Sequence, residues 1–300
     1  MKLRLFFFFL FTFFISYGQE TEGEWDWWNE LHGWETGDPG WRNWIIITPG
    51  YLGPNALPIP EIKRGLIETG SEFEITASGH FHQGDPTQDI SAKLFLPFAN
   101  SKIAVEVWGV VFEHFAFSEE IRNERFARDK DGEGYAMGDF YFSTLVQISK
   151  NRKFPNTLLR AATKTASGNQ LKAARYTDSP GYFFDLSFSK NFGRKEAFLF
   201  RPLGLIGFYS WQTNDELNLQ NDALLYALGG DMVKNDWLFS GSWSGYSGYK
   251  DRHDSPMQLN FEVRKEFGNK AVRLRYLHGI HDWEYKTVRF SFVWKFKGIN

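Results

Sequence analysis

Polar and apolar residues alternate along most of the chain after residue 70. In residues 71–82, Phe73 and Ile75 fall on one face of an extended chain, and Glu72 and Glu74 fall on the other. A period of two, sustained over about ten residues, is typical of a strand that crosses a membrane as part of a β-barrel. Four segments alternate clearly: 71–82, 139–149, 257–266 and 287–296.

Eight further segments alternate more weakly: 88–98, 103–114, 157–166, 181–190, 198–211, 222–233, 236–246 and 271–280. Together the segments predict about 12 strands, and an even number lets both ends of a closed barrel lie on the same side. The connections alternate between short turns and longer polar loops, as in outer-membrane barrels. The sequence therefore predicts an all-β fold, a closed antiparallel up-and-down transmembrane β-barrel over residues 71–300.

Composition supports a barrel with lipid on one side and water on the other. Aromatic residues make up 18% of the chain, yet its mean hydropathy is negative. The alternative is a soluble β-sandwich or lipid-binding barrel, which would point its aromatic residues inward. Alternation alone does not separate the two directions. The export signal, the strand length and the loop asymmetry favour the membrane barrel.

The first 18 residues have the pattern of a cleavable signal peptide. Lys2 and Arg4 precede an apolar run rich in Phe, and Ser16 and Gly18 are the small residues that a signal peptidase needs. Cleavage before Gln19 would leave 32 basic and 36 acidic residues, a balance that argues against nucleic acid as a partner. The chain contains no cysteine, which excludes a lipobox anchor, a thiolate metal site and a disulfide.

Residues 19–70 do not alternate and form an N-terminal segment rich in tryptophan. A short helix from Trp25 to Leu31, ended by Gly33, is predicted there. We expect this segment to be a plug folded into the lumen. The alternatives are a collar at the periplasmic rim of the barrel and a partly ordered leader that has no function. Six tryptophans belong to the predicted plug: Trp25, Trp27, Trp28, Trp34, Trp41 and Trp44.

Three stretches resemble a known group of proteins. They are WIIITPGYLGPNALP at 44–58, KTASGN at 164–169 and ARYTDSPGYFFD at 174–185. These stretches resemble uncharacterised outer-membrane β-barrel proteins of the Bacteroidota. The resemblance implies a barrel in the outer membrane of a Gram-negative bacterium, and it implies no chemistry or functional residues.

The predicted inward face carries many charges. If turn 267–270 sets the register, Glu262 lies opposite Arg275 and Arg264 opposite Arg273, and closure brings Arg289 and Lys295 towards Glu72 and Glu74. The charges would form either a basic track that guides anions or a salt-bridge network that stiffens the lumen. The predicted lumen-lining residues are Glu72, Glu74, Glu106, Arg160, Lys164, Asp185, Arg201, Glu262, Arg264, Arg273, Arg275 and Arg289.

Enzymatic and metal chemistry has weaker candidates. A lipid esterase or deacylase needs a serine beside an oriented histidine. The candidates are His80 with His82, His253 near Ser255, and His278 with His281 beside Asp282, and no Ser–His arrangement among them matches a motif of those enzymes. A metal site at His80 and His82 lacks a third ligand. The acidic run at 129–133 lacks the spacing of a calcium loop. We therefore expect no catalytic residue, no metal and no cofactor.

The function predicted from these patterns is a porin-like passive channel or facilitator for a small polar, preferably anionic, solute. A second hypothesis is a non-conducting scaffold or accessory subunit of a cell-surface complex, with loop 115–138 as the docking element for an accessory protein. A third is the lipid hydrolase. In each case the chain is surrounded by outer-membrane lipid.

Overall fold

The structure, a computed structural model, describes residues 23–151 and 153–297, so the predicted signal peptide lies outside the described residues. The described chain divides at Asp38 into two compact units. In the first unit, helix α1 (Asp26–His32) ends at Gly33, which adopts the left-handed conformation that glycine tolerates. The short helix predicted in this segment is therefore confirmed.

The second unit, residues 39–297 of the described chain, is dominated by β-strands. They are β1 (Ser71–Phe81), β2 (Thr87–Phe98), β3 (Ile103–Ala116), β4 (Glu133–Ala136), β5 (Phe140–Ser149), β6 (Asn156–Lys164), β7 (Gly181–Ser189), β8 (Phe192–Arg194), β9 (Phe198–Gln212), β10 (Gln220–Lys234), β11 (Trp237–Gly248), β12 (Met257–Phe267), β13 (Lys270–His281) and β14 (Lys286–Phe296). The helical elements are α2 (Glu119–Glu124) and three 3₁₀ turns, Trp41–Asn43, Pro49–Tyr51 and Leu171–Ala173. Neither described α-helix has the length and apolar character needed to cross a bilayer.

Twelve of the strands form a closed antiparallel barrel. They are β1, β2, β3, β5, β6, β7, β9, β10, β11, β12, β13 and β14. Each pairs with the barrel strand before it and the one after it, and β14 pairs with β1 to close the ring. Strands β4 and β8 are short additions that pair with β3 and β9. The prediction of a closed barrel of about 12 strands is confirmed. Closure gives each strand two neighbours, which is what a sheet surrounded by hydrocarbon requires.

The pleat direction also agrees with the prediction. In β1, Phe73 and Ile75 are 38% and 48% exposed, whereas Glu74 between them is 6% exposed. In β14, Phe290 is 56% exposed and Ser291 is fully buried. Aromatic and aliphatic side chains therefore face outward and charged side chains face the interior. The soluble alternative, with its aromatic residues inside and its charges outside, is wrong.

The barrel has a short-turn end and a long-loop end. The chain turns within a few residues between β2 and β3, between β10 and β11, and at Gly268–Asn269 between β12 and β13, where Phe267 pairs with Lys270. The turn at 267–270, on which the predicted register rests, is therefore confirmed. The longest connection of the opposite end, between β3 and β5, contains α2 and β4.

Residues 39–70, here called the lumen segment, run through the barrel from one end to the other. At the long-loop end, the Asn43 amide donates to Glu216 over 2.8 Å, and Arg128 lies over the Trp41 ring at 5.5 Å. At the short-turn end, the Ile67 amide donates to the Gln147 side chain over 2.7 Å. The lumen segment thus enters beside the long loops and leaves where β1 begins.

One half of the barrel interior is apolar because the lumen segment packs against it. Ile45, Ile47, Leu52, Ala56 and Leu57 form a buried cluster with inward side chains of the wall. The wall residues of this cluster come from β5 to β11: Tyr141, Ala162, Phe183, Leu205, Tyr209, Trp211, Ala223, Leu225, Ala227 and Tyr246. Two polar bonds fix the packing, since the Trp211 indole donates to the Ile47 carbonyl over 2.8 Å and the Tyr246 hydroxyl donates to that of Leu57 over 2.8 Å.

The direction of the lumen segment gives a first testable prediction. The chain has no cysteine, so an Asn43→Cys variant carries a single thiol, placed at the long-loop end. If the long loops face outward, as in outer-membrane barrels, a membrane-impermeant maleimide should label this thiol in intact cells.

Two matched variants calibrate the labelling. Leu217→Cys, at a residue that is 92% exposed in a long loop, should be labelled in intact cells. Asn269→Cys, in a short turn, should be labelled only after the outer membrane is permeabilised. Asn43→Cys behaving like Asn269→Cys would show that the lumen segment does not reach the outer end.

Candidate functional site

The predicted lumen-lining charges lie on the inward face of the wall, and most of them are engaged in ion pairs. Arg160 meets Asp185 directly across β6 and β7 at 2.6 Å. Lys164 meets Asp139 at 2.7 Å. The other pairs are Arg201–Asp231 at 2.6 Å, Arg264–Glu72 at 2.6 Å, Arg273–Glu262 at 2.6 Å and Arg275–Glu74 at 3.2 Å.

The register predicted at the last hairpin is confirmed, because Glu262 faces Arg275 and Arg264 faces Arg273. The prediction at barrel closure is only half right. Lys295 does lie opposite Glu72, but Arg289 lies opposite Ser78 on one side and Arg275 on the other. The stagger between β14 and β1 places Arg289 four residues beyond the position opposite Glu74, a shift that sequence alone does not specify.

The lumen segment supplies counterions to the charged half of the wall. Lys63 meets Glu106 at 2.6 Å. Arg64 meets both Asp231 and Glu262 at 3.0 Å. Glu61 pairs with Lys93 at 3.2 Å and with Arg273. A buried carboxylate or guanidinium without a partner is strongly unfavourable, so these contacts attach the lumen segment to β2, β3, β10, β12 and β13.

A cavity of about 600 Å³ opens between the lumen segment and the wall at the short-turn end, and we call it the vestibule. Nine cationic and seven acidic side chains line it. The cationic ones are Lys63, Arg64, Lys93, Lys150, Lys195, Arg201, Arg264, Arg273 and Lys295, and the acidic ones are Glu61, Glu68, Glu72, Glu74, Glu106, Asp236 and Glu266. The vestibule is therefore polar, with a small excess of positive charge.

A second cavity of about 140 Å³ lies deeper in the lumen, and we call it the inner chamber. Pro58, Ile59 and Pro60 of the lumen segment form one side, and inward residues of β1–β3, β5–β7, β13 and β14 form the other. The two cavities share Glu61, Lys63, Glu74, Lys93 and Glu106 in their linings. The ion pairs among these five residues therefore stand between the vestibule and the inner chamber.

At the long-loop end, a buried group of charges closes the lumen; we call it the outer ionic cluster. It consists of Asp85, Glu113, Arg125, Arg175, Tyr176 and Tyr285. Asp85 accepts from Arg125 over 2.6 Å, from Arg175 over 2.8 Å, and from the Tyr285 hydroxyl. Because Asp85, Arg125, Arg175 and Tyr285 come from four different connections, the cluster ties the loops to one another.

Glu113 forms the second half of the outer ionic cluster. It accepts from Arg175 over 2.9 Å, from the Tyr176 hydroxyl over 2.6 Å and from Asn55 of the lumen segment over 2.9 Å. The Gly53 amide donates to the Ala174 carbonyl over 2.9 Å. A Cβ atom at Gly53 would lie 2.6 Å from Arg175 Cζ, so only glycine permits this approach.

The protonation states of the cluster follow from its composition. Burial raises the pKa of Asp85, but the guanidinium groups of Arg175 and Arg125 outweigh burial and hold that pKa below its usual range. Burial raises the pKa of Tyr285 above its usual range. At neutral pH the carboxylate is therefore ionised and the phenol protonated, as their hydrogen bond requires.

Sequence reasoning missed the outer ionic cluster, although two of the stretches that carried the resemblance meet in it. Gly53 and Asn55 belong to the stretch at 44–58, and Arg175 and Tyr176 to the stretch at 174–185. The third stretch lies nearby, since the Gly168 amide donates to Asp139 over 2.7 Å. The signal that could have pointed to this contact is that these stretches carry the resemblance and contain polar residues to which the strand pattern gives no role.

The six tryptophans of the predicted plug are divided between the two units. Trp25, Trp27, Trp28 and Trp34 belong to residues 23–38. Trp41 packs against the apolar cluster of the barrel interior, and the ring of Trp44 lies 5.8 Å from that of Phe126.

The histidines take part in structural contacts. His80 lies between Asp89 at 2.6 Å and the Thr287 hydroxyl at 2.9 Å. His253 contacts Asp282 at 3.2 Å, and the Ser255 amide donates to Asp282 over 2.9 Å. Among the described residues, no group of three or more His, Asp or Glu side chains could hold a metal ion.

Comparison with known proteins adds evidence on the fold. No family model matches the chain, and no curated protein matches it. Among solved structures, the chain is similar to the COG4313 outer membrane channel from Pseudomonas putida F1, with 12% identity, a TM-score of 0.54, and coverage of 86% of this chain and 99% of that one. It is also similar to the KdgM porin, with 8% identity, a TM-score of 0.47, and coverage of 74% and 99%. At such low identity the likeness to the first structure shows a shared barrel fold alone. The resemblance to Bacteroidota proteins stays a prediction.

The outer ionic cluster gives a second prediction. An Arg175→Met variant would leave Asp85 and Glu113 buried without their shared counterion. Removing one partner of a buried ion pair costs about 3–5 kcal/mol, so the free energy of unfolding should fall by that amount. Urea unfolding of the detergent-folded protein, followed by tryptophan fluorescence, measures this change.

Lys172→Met is the matched control. Lys172 lies on the same connection but is half exposed, and its ion pair with Asp129 spans 4.0 Å. Surface pairs contribute roughly 0–1 kcal/mol, so this variant should unfold like the parent protein. Equal stability of the Arg175→Met variant would contradict the structural role of the cluster.

Proposed function

We propose that the protein is an outer-membrane channel for passive diffusion of a small polar solute, with a preference for anions. The vestibule carries the proposal: it is a polar cavity of about 600 Å³ on the barrel interior, lined by nine cationic and seven acidic groups. Charged rings and tracks of this kind select ions in pores. The outward apolar face fits a barrel surrounded by lipid.

In this proposal the lumen segment restricts the channel. It separates the vestibule from the long-loop end, and its Lys63 and Arg64 hold it to the wall through short ion pairs. Passage of solute then requires movement of the lumen segment or of the ion pairs around Glu106. A single-channel current should accordingly be small in the full-length protein.

Conductance in planar bilayers tests the proposal. The full-length mature protein should give small steps, and a variant that lacks residues 39–64 should give larger ones, because the obstruction is gone. A Lys63→Gln/Arg64→Gln variant keeps the whole lumen segment but loses its ion pairs to Glu106, Asp231 and Glu262. This variant should show longer or larger openings.

The native fold of each variant is checked by its heat-modifiable mobility on a gel. Arg194→Gln, which changes an exposed residue of β8, is the control and should conduct like the parent. Electrical silence of the full-length protein and of every correctly folded variant would exclude a channel.

Ion selectivity provides a separate prediction. Lys150 and Lys195 line the vestibule at its short-turn rim. A Lys150→Glu/Lys195→Glu variant reverses two charges there. The reversal potential in a KCl gradient should therefore move away from the equilibrium potential of chloride and towards that of potassium.

Lys153→Glu is the control for selectivity, because Lys153 is exposed on the same turn as Lys150 but does not line the vestibule. Its reversal potential should match that of the parent. An unchanged reversal potential in the double variant would mean that the vestibule does not lie on the conduction path.

A non-conducting scaffold is the second candidate, and the outer ionic cluster favours it. Arg175 bridges Asp85 and Glu113 with both acids fully buried, so the long-loop end is firmly closed. A barrel that conducts only after deletion of residues 39–64, and never at full length, would support this second function.

A further inference from the structure

One arginine of the lumen wall stands apart from the ion pairs described above. Arg289 lies on β14 directly opposite Arg275 of β13. Like charges directly opposite each other on neighbouring strands are destabilising. The other strand neighbour, Ser78, provides no charge. On its other side Ser78 faces Asp89 of β2, but that carboxylate pairs with His80, so Arg289 faces a like charge on one neighbouring strand and has no ion pair of its own.

The hydrogen-bond donors of Arg289 are also not fully used. Among the described residues, no acceptor bonds its Nε, and Arg289 forms no ion pair within 4.0 Å. A guanidinium group has five N–H donors, and a buried donor without a partner calls for a specific explanation such as a water or an ion. The unused donors point to a bound acceptor.

Two further arginines bring unused donors to the same place. Arg160, Arg275 and Arg289 all line the inner chamber. Nη2 of Arg160 and Nε of Arg275 are buried and have no hydrogen-bond partner among the described residues. Arg160 is only 1% exposed, and its orientation is fixed by Asp185 at 2.6 Å and by the Phe183 ring at 4.9 Å.

The carboxylates around the inner chamber have their own partners. Glu61 and Glu74 pair with Arg273 and also with the terminal nitrogens of Arg275, Glu106 pairs with Lys63 and Lys93, Asp139 with Lys164, and Asp89 with His80. None of these carboxylates accepts from Nη2 of Arg160, Nε of Arg275 or Nε of Arg289 among the described residues. A volume of about 140 Å³ exceeds that of several water molecules, each of which takes roughly 30 Å³ in the liquid, and it has room for a small anion.

We propose that the inner chamber is a binding site for a small oxyanion, such as inorganic phosphate, held by Arg289, Arg275 and Arg160. The planar guanidinium group matches two oxygens of such an anion. The anion would relieve the repulsion between Arg275 and Arg289 and would accept from the unused donors. This inference deepens the proposed anion preference of the channel, and binding can be measured whether or not the barrel conducts.

Isothermal titration calorimetry of the detergent-folded mature protein with inorganic phosphate tests the site. The parent protein should bind one phosphate saturably. Charged hydrogen bonds contribute about 1.5–3 kcal/mol, so Arg289→Gln should raise the Kd by about tenfold or more, and Arg289→Lys by less. Arg194→Gln removes the same charge outside the lumen and should leave the Kd unchanged.

Thermal unfolding separates loss of the site from loss of the fold. In chloride, Arg289→Gln should be at least as stable as the parent, because it removes the repulsion with Arg275. Phosphate at equal ionic strength should raise the Tm of the parent and not that of Arg289→Gln. Titrations with sulfate and with acetate distinguish an inorganic oxyanion from a carboxylate as the preferred ligand.

Two outcomes would overturn the inference: no saturable binding by the parent, which would mean that water alone satisfies the arginines, or equal binding by Arg289→Gln. Failure of the channel proposal can be distinguished from failure of the proposed anion site. Saturable binding in an electrically silent barrel would reject the channel and keep the site, whereas conductance without binding would reject the site and keep the channel.

Discussion

The structure depends on the need of buried charges for partners inside the barrel. The inward face of a transmembrane barrel is polar, but here the lumen is occupied by protein rather than open to bulk water. Each ionised side chain of the wall must then find an opposite charge within reach. Residues 39–70 meet part of that need, because Glu61, Lys63 and Arg64 lie against wall residues of the opposite sign.

This constraint divides the lumen into regions with different properties. At the long-loop end, Leu52 and Leu57 are packed in the buried apolar cluster, and Asp85 is fully buried in its ion pairs. At the short-turn end the vestibule opens between the lumen segment and the wall. In the proposed channel, the long-loop end is closed and the short-turn end is accessible, so opening would begin with the ion pairs around Glu106.

The shared fold places the protein among closed outer-membrane-type barrels without assigning its function. Barrels of one architecture serve as channels, translocators and scaffolds, because function depends on what the lumen and the loops contain. In this protein the distinctive content is the lumen segment, the outer ionic cluster and the arginines of the inner chamber. The proposed activities rest on those features and not on the likeness to other barrels.

The sequence alone determined the 12 barrel strands, because a period of two is a local property. The export signal, the strand length and the alternation of loop lengths, which are also read directly from the sequence, indicated the direction of the pleat. The sequence also determined the register at Gly268, where a two-residue turn leaves no freedom. Some strands alternate only weakly between polar and apolar residues because their inward residues, such as Leu205 and Leu225, are also apolar. These inward residues pack against the lumen segment.

Only the tertiary structure decided which charges meet. The stagger at barrel closure placed Arg289 opposite Ser78 rather than near Glu74, because shear around a ring is a property of all strands together. The outer ionic cluster joins Asp85 to Arg175 across 90 residues of sequence. No local pattern encodes such a contact, because it exists only once the barrel has closed around residues 39–70.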